Sequence, residues 1–466
     1  MSGPISDVAQ AILLHGSPTA GERLRRDSAF RAADVKPGTF RAAASGIGSK
    51  KGSPGLAFFD STQAGRIAFG PGAGLAVGVS VGAEQIRAVL VDANGWEYHQ
   101  EESPPLENQL AAEPTAVLNR IRATVSTVLQ KTFDQSSELL IEGALPLLGC
   151  AVAWPTPVDR QRKAVGHALA HDGWRSGTPL DQRVADAIDI DGFHTYALND
   201  AHAAAIAVAH RETHKKEHLA WGHPLLSIVL RLAGNIGAGV IVLEPPEVDK
   251  ETGRKKSGFL KSTLIAGVDN HAGEIGHAQI APSTITALNE KLPDRLAELT
   301  AQRCSCTSKD DPNPPHLEAY AAVLALTKRV NPMVERREAL ATILTNPSEE
   351  PNKRALADVG SLVAEALTAP VAVLNPANIV VTGSLALPEV CKGIKERVKS
   401  ENKFGTAATV TTIPDKDNDY LRAKGAALAL IRNRVHREID KLLGSNKEEV
   451  QVNVAELTTL LSENPL

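Results

Sequence analysis

The stretch LAVGVSVGAEQIRAVLVDANGW, residues 75–96, decides the fold. Its first seven residues are nearly all apolar and read as a strand buried on both faces. A turn follows around Gly82-Ala83, then a second, alternating strand that ends at Asn94-Gly95. Asn-Gly is a strong hairpin signal, because the favoured two-residue turn needs positive φ at both central positions.

Downstream, the pattern predicts a helix near 113–131 and a strand running into a Pro-rich turn in LLGCAVAWPTPVD (147–159). A helix near 180–188, a short strand HTYAL (194–198) and an Ala-rich helix from about 201 to 212 come next. LLSIVLRLAGNIGAGVIVL (225–243) reads as a strand opening a second half. Two insertions follow: the charged segment 244–261, expected to form a protruding hairpin or loop, and 283–303, expected to add an amphipathic helix. After Leu317 helices dominate, apart from NIVVTG (378–383) and ATVTTI (408–413). The last 35 or so residues are polar and helical in pattern. Strands and helices alternating in two successive halves predict an α/β protein with two lobes around a cleft.

Upstream of Leu75, residues 7–47 have helical spacing, with Val8, Ile12 and Leu13 on one face and a charged stretch from Arg23 to Arg31. Eight glycines fall between Gly46 and Gly74, with SKKGSPG among them, which marks a hinge or a loosely structured wing. Residues 1–70 carry nine Lys/Arg against five Asp/Glu, whereas the whole chain of 466 residues has a net charge of −4. A basic end on an acidic body points to an anionic partner for that end. The expected division is 1–74, a separate N-terminal domain and linker; 75–200, a first α/β lobe; 201–430, a second; and 431–466, a helical tail.

Hydrophobic residues make up 43% of the chain and charged ones 22%, an ordinary globular balance. No apolar run approaches the roughly 20 residues of a membrane span. The N-terminus lacks the basic start and apolar stretch of a signal peptide. Four cysteines are too few for a disulfide framework at this length, so a reducing cytoplasm is the expected location.

Seven segments in order carry a family resemblance: VGVSVGAEQIRAVLVDANG (77–95), AVAWPTPVD (151–159), YALNDAHAAAIA (196–207), AGNIGAGVIV (233–242), AGEIGHAQI (272–280), a cysteine motif (304–318) and NPANIVVTGSLA (375–386). Over roughly residues 75–430 the chain resembles the ROK family (repressor, open reading frame, kinase). GEIGH followed by Cys-x-Cys is its most specific part. The resemblance implies the two-lobed sugar-kinase-like fold of the actin-like ATPase superfamily. It also implies a small, mainly helical winged helix-turn-helix domain ahead of it in the regulator branch.

From the residues alone, Cys304-Ser-Cys306 with His277 and His316 supplies thiolates and imidazoles, the ligands zinc prefers in closed tetrahedral sites. Without the resemblance, two cysteines on a loop could equally be reduced and unliganded. The family ligates zinc through the histidine of GEIGH and three cysteines; here the third cysteine is missing. His316, immediately before Leu317-Glu318, is the favoured substitute, with Asp311 the competitor by spacing. Zinc at His277, Cys304, Cys306 and His316 would be structural.

Asn199-Asp200 sits at a strand end before a helix, where a plain helix cap is an alternative reading. The resemblance implies that Asn199, Asp200, Glu274 and His277 bind a hexose or amino-sugar, with Glu318 a further contributor. Asp200 would be the general base if the chain were a kinase.

Family kinases open with Asp-x-Gly-Gly-Thr, and this chain reads Ser80-Val81-Gly82-Ala83-Glu84. Ala83 adds a Cβ where backbone approaches phosphate. Glu84 adds a negative charge; at ~4 Å and an effective dielectric of ~20, one such contact costs about 4 kcal/mol. The second phosphate loop reads Ala233-Gly234-Asn235-Ile236-Gly237. Ser80, Gly82, Gly234 and Gly237 are the phosphate-loop remnants, and ATP with Mg²⁺ is not expected as a cofactor.

In RAADVKPGTFRAAASGI (31–47), Val35 fits the apolar turn of a helix-turn-helix. Lys36 and Arg41 would face DNA, and Lys50-Lys51 would lie on a phosphate-contacting wing. A flexible basic arm is the alternative. These features favour a sugar-responsive transcription regulator, expected to be a homodimer because palindromic operators match two-fold proteins. The alternatives are an ATP-dependent sugar kinase with an atypical phosphate loop and a sugar-binding protein that contacts no DNA.

Overall fold

A computed structural model describes residues 24–25, 59–60, 66–69, 74–93, 95–106, 113–135, 147–159, 164–165, 174–190, 193–212, 224–244, 261–289, 316–330, 336–401, 408–413 and 420–444. The N-terminal segments contribute β1 (Leu24–Arg25), β2 (Phe59–Asp60) and β3 (Arg66–Phe69), in an antiparallel sheet of order β1-β3-β2. Leu24–Arg25 is therefore extended within the stretch 7–47 that its spacing had marked as helical. Cross-strand pairing to Arg66 and Ile67 overrides a local periodicity there. The hairpin at 59–69 lies beyond Lys50 and Lys51, which, with Lys36 and Arg41, are outside the described residues.

The first lobe has β4 (Leu75–Val81), β5 (Ile86–Asp92), β6 (Glu97–Glu102), α1 (Pro114–Gln135), β7 (Leu147–Trp154), the short pair β8 (Val158–Asp159) and β9 (Ala164–Val165), α2 (Leu180–Ile188) and β10 (His194–Asn199). Helix α3 (Asp200–Glu212) leads to the second lobe: β11 (Leu225–Leu232), β12 (Ile236–Glu244) and β13 (Lys261–Ile265). Then follow α4 (Pro282–Asn289), α5 (Leu317–Ala321), α6 (Val323–Val330), α7 (Arg336–Thr345), α8 (Asn352–Leu374), β14 (Asn378–Thr382), α9 (Pro388–Glu401), β15 (Thr409–Thr412) and α10 (Leu421–Gly444).

The stretch 225–243, expected to open with one strand, is two antiparallel strands. Residues 233–235 turn the chain so that Leu232 pairs Ile236 and Leu225 pairs Leu243. Small residues at 233 and 234 make that turn inexpensive. Strands β12 and β13 pair antiparallel up to Glu244 and Lys261; the charged segment between them, 245–260, expected to form a hairpin or loop, lies outside the described residues.

The two sheets share one plan. The first runs β10-β7-β4-β5-β6 and the second β13-β12-β11-β14-β15. In each, three antiparallel strands form a meander and two parallel strands join the meander's first strand. Each sheet's last strand feeds a helix, α3 or α10, and these two helices pack on each other. α3 also lies on β11 and β12, while α10 crosses back onto β4, β5 and β7. The approach is close: a Cβ added to Gly425 would stand 1.8 Å from the Ala203 carbonyl oxygen. Helix α10 runs across residue 430, where the sequence had marked a boundary, and joins the tail's beginning to the first lobe.

Each lobe has its own core. Val77, Val79, Ile121, Trp154 and Trp174 anchor the first, and Leu230, Leu326, Leu356, Val363 and Ile379 the second. Helix α8 is long and apolar enough to cross a bilayer by length and composition alone. Its residues Leu356, Val359, Leu362, Val363 and Leu367 are buried in the second core, as in a soluble protein's central helix.

Candidate functional site

The shared plan brings equivalent turns of the two lobes face to face. The β4–β5 turn (82–85) and the β11–β12 turn (233–235) meet so closely that a Cβ on Gly234 would lie 3.7 Å from that of Ala83. Asn235 Nδ2 also donates to the Pro155 carbonyl at 3.4 Å, tying the turn after β7 to the second lobe.

Beneath these turns, β10 delivers Asn199 and Asp200 to the start of α3. Asn199 Oδ1 accepts the N–H groups of Ala201 (2.9 Å) and His202 (3.1 Å), a helix cap. Its amide NH2 is the part left to face a ligand. Asp200 is 4% exposed, and its Oδ2 meets both Arg231 Nε (2.9 Å) and Arg422 Nη1 (3.3 Å).

The GEIGH segment is held against the second sheet. Gly273, at φ 94°, sends its carbonyl to the Ala238 N–H (2.7 Å), and a Cβ there would lie 1.9 Å from the Ala238 oxygen. Only glycine satisfies both conditions. His202 Nε2 contacts the Ala272 carbonyl at 2.9 Å, coupling α3 to this loop.

Glu274 and His277 then sit 3.6 Å apart (Oε2 to Nε2). Burial first, then the charges of Asp200 and Glu318, push the Glu274 carboxyl up to about 7, so near neutrality it can donate or accept a hydrogen bond. Glu318, also pushed up, chiefly by burial, accepts the Ile236 N–H on Oε2 at 3.2 Å.

Asn199, Asp200, Glu274, His277 and Glu318 thus line one inner cavity, with Gly237, Arg231 and the Pro155-Thr156-Pro157 turn. Its volume of about 30 Å³ holds a water molecule but not a sugar ring. A larger outer cavity of about 430 Å³ adjoins it through Pro155, Arg231 and Asn235. Gly82, Ala83, Glu84 and Gly234 line this outer space. Ser80 does not: it is fully buried in β4 and lines neither cavity.

A bridge between Gln279 and His316 sets the start of α5 beside the same loop. The rings of His277 and His316 meet edge-on with centres 5.6 Å apart. Two imidazoles on one tetrahedral zinc, each bonded at about 2 Å, have centres roughly 5 Å apart, a separation close to this one. Cys304, Cys306 and Asp311 are outside the described residues.

Sequence reasoning missed Arg231 and Arg422. The available signal was a single charge in an otherwise apolar strand, LLSIVLRL, which must find a buried partner.

Residues 257–432 match the ROK family. No curated protein matches the chain by sequence. Among solved structures, it is similar to a ROK family transcriptional regulator described as a homolog of the E. coli MLC protein: 13% identity, TM-score 0.57, covering 92% of this chain and 100% of the other. It is also similar to a ROK family glucokinase from Streptomyces griseus in complex with glucose and AMPPNP: 16% identity, TM-score 0.51, covering 77% of this chain and 100% of the other. At these identities the likeness is one of fold, and the lobes have the ROK sugar-kinase-like architecture.

Proposed function

Since residues 257–432 form a ROK domain, we propose that this chain is a sugar-responsive transcription regulator that binds a hexose or amino-sugar between its lobes. One asymmetry carries this reading. The sugar-side residues Asn199, Asp200, Glu274, His277 and Glu318 share a cavity, whereas the nucleotide side has Ser80 withdrawn and Ala83 and Glu84 on its turn. Phosphoryl transfer depends on phosphate-cradling backbone and a held Mg²⁺, and both are compromised. Asp200, the base in a kinase, instead has two guanidinium groups on one oxygen.

Two further observations support the DNA-binding half. The likeness to the regulator spans 92% of this chain, against 77% for the glucokinase. The β1-β3-β2 sheet, with 33 residues between β1 and β2, also has the strand order of a winged helix-turn-helix. Lys36, Arg41, Lys50 and Lys51 are the proposed DNA contacts. A structural zinc at His277, Cys304, Cys306 and His316, a homodimer and a cytoplasmic location complete the reading.

The kinase reading rests on the intact sugar cavity and the glucokinase-like lobes. Incubating the full chain with ATP, Mg²⁺ and a panel of hexoses and amino-hexoses, followed for ADP and thermal shift, separates the two. A sugar-dependent thermal shift without ADP is expected. ADP release at ~1 per second or faster would establish the kinase instead.

A further inference from the structure

We propose that Thr156 determines which sugar the cleft accepts: its hydroxyl bonds directly to one ring hydroxyl of the ligand, so a sugar lacking that hydroxyl is rejected. This deepens the sugar-binding reading and rests on it.

Thr156 is 8% exposed, and its Oγ1 is buried with no hydrogen-bond partner among the described residues. It lines the inner cavity, where neighbouring polar atoms are engaged. Asn199 Oδ1 caps α3, Asp200 Oδ2 meets Arg231 and Arg422, and Glu318 Oε2 accepts the Ile236 N–H. A buried hydroxyl without a partner forfeits its hydration for nothing, so such groups are few in folded chains. At a cavity wall the group has a use if the cavity's occupant supplies the partner.

The backbone holds this hydroxyl in place. Thr156 stands between Pro155 and Pro157, just beyond the end of β7. Proline fixes its own φ, and it also confines the residue before it, here Thr156 itself. Trp154, fully buried in the first core, anchors the strand ahead of the turn. From the second lobe, Asn235 Nδ2 donates to the Pro155 carbonyl at 3.4 Å and grips the same turn. A β-branched side chain adds stiffness at χ1. A hydroxyl so constrained loses little freedom on meeting a ligand, which keeps more of the bond's energy for selection.

The surroundings name the chemistry of the partner. Asp200, Glu274 and Glu318 bring three carboxyl groups to the cavity, and Thr156 adds a hydroxyl that both donates and accepts. A sugar hydroxyl can give its proton to a carboxylate while accepting one from Thr156. A ring carbon bearing only hydrogen does neither and leaves buried groups on both sides unpaired, the arrangement that discriminates most strongly.

The test is calorimetric titration of the full chain with glucose, mannose, galactose, glucosamine and N-acetylglucosamine, then with each monodeoxy form of the tightest binder. Thr156→Val removes the hydroxyl and keeps the branched shape. It should lower affinity for the parent sugar about tenfold, yet leave one monodeoxy form within about twofold of its affinity for the unaltered chain. Thr156→Ala should show the same selective pattern, and Thr156→Ser should keep parent affinity within about threefold. The urea midpoint of ligand-free Thr156→Val should equal or exceed that of the unaltered chain, because an unpaired polar group has gone.

Parent affinity unchanged in Thr156→Val and Thr156→Ala would overturn the contact and leave the sugar-binding reading standing. Equal losses for the parent and every monodeoxy form would assign Thr156 to packing and overturn the contact alone. A clearly lower midpoint would show the hydroxyl bonded within the chain, with the same consequence. If none of these sugars binds the unaltered chain, the sugar-binding reading falls and takes the contact with it.

Discussion

Asp200 concentrates the site's electrostatics on one atom, since Arg231 and Arg422 both meet its Oδ2. Removing one member of a buried ion group leaves charge unpaired, which typically costs 3–5 kcal/mol or about that order. Asp200→Asn should therefore lower urea-unfolding stability by about 3 kcal/mol, because two guanidinium groups lose the anion they share. A change below about 0.5 kcal/mol would show that the arginines are satisfied elsewhere. The family resemblance pointed to Asn199, Asp200, Glu274 and His277, each in a short motif at a strand end or a glycine turn, and the four line one cavity. It left Arg231 and Arg422 silent. Arg422 lies 222 positions from Asp200, and only the tertiary return of α10 brings them together.

At the scale of elements, the hairpins, the Ala-rich helix and the strands at 194–199 and 378–382 were legible from period and turn chemistry. The β11–β12 hairpin was not, because its turn, Ala233-Gly234-Asn235, is short and sits between two apolar runs. Nor did the sequence reveal that α10 wedges between the lobes. That wedge depends on Gly425, and overpacking by one methyl typically costs 1–3 kcal/mol, on the order of a whole contact network. Gly425→Ala should lower the urea midpoint by the equivalent of about 2 kcal/mol or more, with near-native helix content before the transition. The proposed zinc site makes a second prediction at this scale. Metal analysis of purified protein should find one zinc per chain, lost in Cys304→Ser and in Cys306→Ser. His316→Ala should reduce it and Asp311→Ala should not, since His316 stands beside His277. Full zinc content in Cys304→Ser would remove the site.

Across the whole molecule, two lobes of one plan enclose a cleft whose inner part is too small for a sugar as it stands. The sugar binding proposed above would therefore require a more open arrangement, and α3 and α10, packed on each other between the sheets, are where such a change would pass. A ligand alters DNA affinity only if it binds the DNA-competent and DNA-free shapes unequally. Filling the cleft supplies that difference if lobe spacing sets the spacing of two basic N-terminal domains in a dimer. The full chain should then select a palindromic site from random-sequence duplex DNA, and the effective sugar should change that affinity about tenfold or more. Lys50→Ala or Lys51→Ala should weaken binding to all sequences and lower the salt slope by roughly one per lost phosphate contact. Arg41→Ala should cost about 1–3 kcal/mol and relax preference at one position. Salt-dependent binding without sequence preference would reduce residues 1–74 to a basic arm. Sequence-specific binding indifferent to every sugar would instead separate the cleft from the regulation, since a ligand with equal affinity for both shapes shifts neither.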